Sequence, residues 1–358
     1  MTRPLALSHA HADAALLHSP SSLHAPSSLH APGAPRSPVE PARPPAAPTP
    51  LHQPGDRVEE ALARAVERAT AEGCPPGLSE ALRYAVFPGG QRLRPRLGVA
   101  VAAAVGDARP AAVDAVCVAV ELMHCASLVH DDLPAFDDAG ERRGRPSLHA
   151  ALGEPLAILT GDALIVAAFA ELAHGLREVP EHLSALVRML ARASGAPHGL
   201  CAGQAWEQER DVDLRRYHRQ KTASLFEVVT AGSALVGSAR APSAAELEAW
   251  REVGAAIGEA YQVADDLRDA LGAAAAGGAA LGKPTGRDEA KDRPSAVRAH
   301  GVEEARALLR AHAQRAIAAI PRLDGDGAPG APPEQGPRPS GRDALAQFLE
   351  ALARRFGA

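Results

Sequence analysis

The twelve residues from Ser127 to Asp138 read SLVHDDLPAFDD and place Asp131, Asp132, Asp137 and Asp138 within eight positions. Carboxylates this close repel one another and stay ionised together only where positive charge sits among them. The cluster is therefore either a solvated helix end or a seat for a hard cation. The stretch before it is strongly apolar, which draws the cluster toward the interior. Oxygen ligands of this kind suit Mg²⁺, which keeps several waters and commonly bridges one or two carboxylates to a substrate phosphate.

A second acidic stretch, YQVADDLRD, carries Asp265, Asp266 and Asp269. Asp265 and Asp269 are one helical turn apart and face the same way, at a spacing where like charges mildly destabilise a helix. One such stretch is ordinary. Two of them, each closing a long apolar helix, predict carboxylate walls facing across one cavity.

Cationic residues flank both stretches. GGQRLRP supplies Arg92, Arg94 and Arg96, GERRGRP supplies Arg142, Arg143 and Arg145, RQKTAS supplies Lys221 and Thr222, and LGKPTGRD supplies Lys283. Arginine forks and lysine point charges are common partners of phosphate oxygens. Singly each reads as surface solvation. Together, around two acidic clusters, they ask for a di-anionic ligand with a divalent metal. His124 stands seven residues before Asp131, on nearly the same helix face; alone it reads as a hydrogen-bonded core residue.

The elements that must position these groups are helical. Apolar residues make up 46% of the 358 positions but aromatics only 3%, so Ala, Val and Leu carry the packing and favour helix over sheet. ARPAAVDAVCVAVELMHCASLVHDD places Val113, Val116, Val120, Met123 and Ser127 along one face, four further long stretches show the same period, and no strand is expected. Short turns between long helices point to an all-α bundle. Residues 1–54 repeat SSLHAP in tandem and hold eleven prolines between Pro20 and Pro54, the composition of a disordered tail. One folded domain is expected over 55–358, with 324–341 as a low-complexity linker inside it.

A net charge of −5 with interspersed signs indicates no nucleic-acid surface. Cys74, Cys117, Cys125 and Cys201 are scattered, which suits reduced core residues of a cytoplasmic protein rather than a disulfide framework. The most apolar stretch is interrupted by Asp114 and Glu121, so no stable membrane insertion is expected.

DDLPAFDD resembles the first aspartate-rich motif of the all-trans polyprenyl diphosphate synthases, in its form with two extra residues, and DDLRD resembles the second. GGQRLRP, RRGRP, KT, YQ and LHAALGEPLAILTGDALI stand in the family's order, over roughly residues 56–323. The resemblance implies an isoprenoid-synthase-type helical bundle around a deep central cavity, a homodimer, and short-chain condensation of isopentenyl diphosphate with allylic diphosphates. It implies Mg²⁺, three ions per site, held by Asp131, Asp132, Asp137, Asp265 and Asp269. Arg142, Lys221, Gln262 and Lys283, with Thr222 beside them, would grip the allylic diphosphate. Arg94, His124 and Arg143 would grip isopentenyl diphosphate, as would a lysine where this chain has Gln91. Small residues at Ala126 and Ser127 resemble twenty-carbon synthases, which favours geranylgeranyl diphosphate over farnesyl diphosphate, with Val116 and Met123 as a floor.

Three other readings stay open at this point. A metal-dependent phosphohydrolase built on His130–Asp131 needs further histidines on neighbouring helices. A terpene cyclase would replace DDLRD with an Asn/Ser/Glu pattern. A non-catalytic partner subunit would lose an aspartate motif, and Gln91 is the feature that keeps that reading in play.

Overall fold

The computed structural model describes residues 57–87, 89–272, 293–321 and 341–357. The expected tail 1–54, Lys283 and all but the last residue of the 324–341 patch lie outside the described residues. Those described fall within one compact unit, Thr49–Ala358.

The chain forms α1 (Arg57–Ala69), α2 (Pro76–Val86), α3 (Leu93–Ala104) and α4 (Pro110–Asp131). After a short hairpin come α5 (Leu148–Leu152), α6 (Glu154–Gly175), α7 (Leu183–Ser194), α8 (Leu200–Ala205) and α9 (Leu214–His218). A π turn, Arg219–Ala223, joins α9 to α10 (Ser224–Gly237). The bundle is completed by α11 (Ala244–Leu271), α12 (Ala296–His300), α13 (Val302–Ala318) and α14 (Gly341–Phe356). Helix starts follow local chemistry. Pro76 and Pro110 occupy first-turn positions where a missing N–H costs nothing. Ser243 and Glu246 form a reciprocal capping box at the head of α11.

The centre of the bundle is α10, buried at every residue except Glu227 and packed by α3, α4, α7 and α11. Such enclosure demands small residues on the neighbours. A Cβ at Gly258 of α11 would stand 2.3 Å from the Ala223 Cα, and one at Gly254 would stand 2.4 Å from the Phe226 carbonyl oxygen. Glycine lets α11 rest directly on the π turn and the helix that follows it.

Helix α4 departs from the expected single apolar face. Ala112, Ala115, Cys117, Val118 and Ala119 are buried as well as Val113, Val116 and Val120, so the helix is enclosed nearly all round, as a helix apolar on most of its faces must be. The expectation of no strand is corrected too. Glu141–Arg142 and Arg145–Pro146 pair antiparallel, with Arg142 opposite Arg145. Both residues of the turn have positive φ, Arg143 at 56° and Gly144 at 72°, as a two-residue hairpin turn requires.

By length and composition α4 and α6 could each cross a membrane, but 78% of the apolar window of α4 is buried inside the protein, against 39% for α6. On α6, Ile158, Leu159 and Val166 are 46%, 56% and 68% exposed.

Candidate active site

The chain folds back where α4 ends. Pro134 disfavours helical continuation, and the loop closes on the helix end through backbone bonds. Asp137 N–H donates to the Asp131 carbonyl at 2.9 Å, and Ala139 N–H to that of Asp132 at 3.1 Å. Asp138 turns the chain at φ 46°, a conformation aspartate tolerates better than most residues. The loop thus brings the backbone of the second acidic pair back to the end of α4.

Asp131 lines a cavity of about 1080 Å³, and so does Asp265 of α11. The two helices each pack against α10, so acidic groups from distant parts of the chain reach one cavity. Gln91 and Arg94 enter from the start of α3, Ala126, Ser127 and His124 from α4, and Arg142 and Arg143 from the hairpin. Lys221 and Thr222 enter from the π turn, and Gln262 from α11. Three further expected ligands stand outside this lining. Asp132, Asp137 and Asp269 are absent from the lining, and Asp132 and Asp137 are buried.

Buried carboxylates need partners, and these have guanidiniums. Arg142 Nε donates to both oxygens of Asp132, at 3.1 and 3.0 Å. Arg293, which enters just before α12, pairs with Asp137 and lies 3.3 Å from Glu207. Glu207 also pairs with Lys221 and accepts the Tyr217 hydroxyl at 2.7 Å. Burial pushes Glu207 upward, yet Lys221 and Arg293 outweigh it and hold the carboxyl below its ordinary range. Thr222 donates to Gln262 Oε1 at 2.5 Å, and Gln262 Nε2 donates onward to Asp266 at 2.9 Å. A chain of polar contacts therefore runs from the first acidic loop through Arg293 and Glu207 to the π turn and α11.

The glycine pair of GGQRLRP seats two arginines. The Arg92 side chain lies over Gly89, where a Cβ would stand 2.1 Å from its guanidinium carbon, and Arg143 lies over Gly90. Arg92 is structural. Its side chain is 1% exposed and pairs with Glu59 at 2.7 Å and Glu121 at 2.9 Å. Arg94 is different: its guanidinium sits 4.6 Å from the Phe226 ring centroid, and its buried Nε has no hydrogen-bond partner among the described residues. Burial, with Arg143 nearby, lowers its affinity for a proton. Burial also drives the His124 pKa well below its ordinary value, aided by Arg94 and Arg143, which leaves a neutral imidazole. A donor left unsatisfied beside other cations is a place for an anion.

Among the described residues no three His, Cys, Asp or Glu side chains converge as a metal cage. Asp131 and Asp265, single carboxylates from two different helices, suit a hard, partly hydrated cation whose remaining ligands come from water and phosphate. Much of the remaining lining is apolar. Met123 stands eight residues from Asp131, about 12 Å along the helix axis, and Ile165 and Phe169 of α6 join it. Val116, expected at the floor, is instead enclosed in the core against Gly232 of α10. His130 faces the Ile158 carbonyl at 3.3 Å, and no histidine cluster for a phosphohydrolase forms among the described residues.

Sequence reasoning missed Glu207, Tyr217, Arg293 and Tyr261, the last a residue of the lining. Tyr261 had a signal, standing one turn before Asp265. Arg293 had none, because its partners lie more than eighty residues upstream.

Residues 75–322 match the family model described as Polyprenyl synthetase. A geranylgeranyl diphosphate synthase from Cereibacter sphaeroides is 52% identical over 270 residues, covering 75% of this chain and 90% of that one. A farnesyl diphosphate synthase from Geobacillus stearothermophilus is 34% identical, covering 78% and 92%. Among solved structures, a geranyltransferase from Legionella pneumophila superposes with a TM-score of 0.67 at 28% identity, covering 84% and 94%.

Proposed function

The chain belongs to the polyprenyl synthetase family, and from that premise we propose that it condenses isopentenyl diphosphate with allylic diphosphates and releases geranylgeranyl diphosphate. The observation that carries this reading is the meeting of Asp131 and Asp265 at one cavity that also holds Arg94, Arg142, Arg143 and Lys221 together with the apolar Met123, Ile165 and Phe169.

The residues divide by position. Arg142, Lys221 and Gln262, with Thr222 fixing Gln262, hold the allylic diphosphate; Lys283 is assigned with them from its place in the sequence. Arg94, Arg143, neutral His124 and Gln91 hold isopentenyl diphosphate. Cleavage of the allylic carbon–oxygen bond leaves negative charge on the departing diphosphate, and preorganised guanidiniums and ammonium stabilise it at little reorganisation cost. The isopentenyl double bond attacks the allylic cation, and the proton lost afterwards passes to the released diphosphate. Met123, Ile165 and Phe169 keep water from the cation.

Mg²⁺ is the metal this donor set fits. Asp131 and Asp265 would hold it, with Asp132, Asp137 and Asp269 beside them, and it would supply charge neutralisation for the leaving group. The exposed Ile158, Leu159 and Val166 of α6 support a homodimer formed on that face. Four unpaired cysteines support a cytoplasmic setting.

The test is incubation with labelled isopentenyl diphosphate, each allylic primer and Mg²⁺, followed by chromatography of the dephosphorylated products. A twenty-carbon alcohol is expected. Asp131→Ala or Asp265→Ala should abolish it, and turnover like wild type by either variant would refute the assignment.

A further inference from the structure

A second cavity, of about 640 Å³, opens between α7, the π turn with the start of α10, and α11. Arg188, Arg192, Arg216, Arg219 and Arg251 line it, against a single carboxylate, Glu227. The whole chain carries 43 acidic residues to 38 basic ones, so this gathering is a local concentration of charge and not a general property of the surface.

Internal pairing does not neutralise it. Glu227 is shared between Arg219 at 2.9 Å and Arg251 at 3.4 Å, and Arg251 also meets Glu248 at 3.1 Å. Arg188 donates to the Ser184 hydroxyl, at 3.2 Å, and Arg216 lies over the Trp206 ring. Arg188, Arg192 and Arg216 pair with no carboxylate among the described residues. The polar groups at the base are already satisfied: Gln220 binds the Trp206 indole and the Pro197 carbonyl, and Ser224 donates to the Ala193 and Gln220 carbonyls. What the cavity lacks is negative charge. Guanidinium forks match phosphate oxygens two at a time, and the three forks without a carboxylate, with Arg219 and Arg251 beside them, exceed what a single phosphate can engage.

We propose that this second cavity binds a small anion carrying two or more phosphate groups, separately from the first. The two cavities share the π turn. Arg219 and Gln220 face the second, while Lys221 and Thr222 face the first. An anion that draws on Arg219 therefore pulls on the segment that carries Lys221.

Inorganic tripolyphosphate, titrated calorimetrically into the full chain in low salt with EDTA present, tests the proposal, since chelation suppresses metal-dependent diphosphate binding in the first cavity. One equivalent should bind. Arg188→Glu and Arg192→Glu should each weaken it tenfold or more, whereas Arg142→Gln, in the first cavity, should not. Both α7 arginines are exposed, and unchanged melting curves exclude misfolding. Arg192→Lys, which keeps the charge but loses the fork, should give a smaller loss than Arg192→Glu. Absence of binding, binding by both α7 variants as in wild type, or loss confined to Arg142→Gln overturns the site. Competition by geranylgeranyl diphosphate would identify a prenyl diphosphate as the source of the anion and competition by ATP a nucleotide; tripolyphosphate binding resistant to both identifies free polyphosphate.

Discussion

The Arg143 guanidinium lies against the bare Cα of Gly90, where an added Cβ would stand 2.6 Å from its Nη2 atom. The clashing atom is the far end of a flexible side chain, so the fold can accept alanine there by letting Arg143 move. Gly90→Ala should therefore leave stability nearly unchanged while raising the KM for isopentenyl diphosphate about tenfold, the loss of one charge-assisted contact. Parallel denaturation and initial-rate measurements separate the two effects. A destabilised protein with unaltered KM would show that the glycine serves packing alone.

Gln91 lines the same end of the cavity and brings a neutral donor where the family resemblance leads one to expect a lysine. Charge-assisted contacts contribute roughly twice as much as neutral ones. Gln91→Lys should lower the KM for isopentenyl diphosphate about fivefold, corresponding to ~1 kcal/mol, with little change in the KM for the allylic primer. Steady-state kinetics in which each substrate is varied in turn checks this.

Burial and the neighbouring Arg94 and Arg143 hold the His124 pKa well below its ordinary value. The folded protein thus binds fewer protons than the unfolded chain below about pH 6.5, and stability falls as pH drops from there toward the folded-state pKa. His124→Gln removes that linkage. Between pH 7.5 and 5.5 the variant should lose about 1 kcal/mol less than wild type, as read by urea unfolding at the two pH values. Equal losses would mean that His124 protonates normally in the folded state.

Ala126 is 1% exposed and lines the cavity one turn and a residue before Asp131. A phenylalanine ring there fills space that a lengthening chain needs. Ala126→Phe should shift the product from twenty carbons toward fifteen, seen by chromatography of the dephosphorylated alcohols. An unchanged product distribution would move the length-setting position to the Met123, Ile165 and Phe169 group.

How much of this was legible in the sequence depends on distance along the chain. That Asp131, Asp265, Lys221 and Arg142 reach one cavity was readable because each sits in a short stretch whose residue types make sense together. The all-α architecture was readable from period alone. Val116 and Met123 could not be told apart, since a helix enclosed on every side has no periodic mark for the residues that meet a void. The hairpin around Arg143 was invisible because two-residue strands carry no alternation. The partners of Asp132 and Asp137 split in the same way. Arg142 is ten residues from Asp132, whereas Arg293 comes from 156 residues beyond Asp137, and no local pattern announces such a meeting.

The π turn at Arg219–Ala223 winds one additional residue into a single coil without breaking the rod that runs from Leu214 to Gly237. Side chains on either side of it consequently point along bearings that are out of phase, although the axis is continuous. That offset lets the approach to the buried α10 present a lysine and a threonine to the first cavity. Deleting one residue at this point would bring both halves back into step and swing the pair aside, so a change small in the gene would be large in the catalyst.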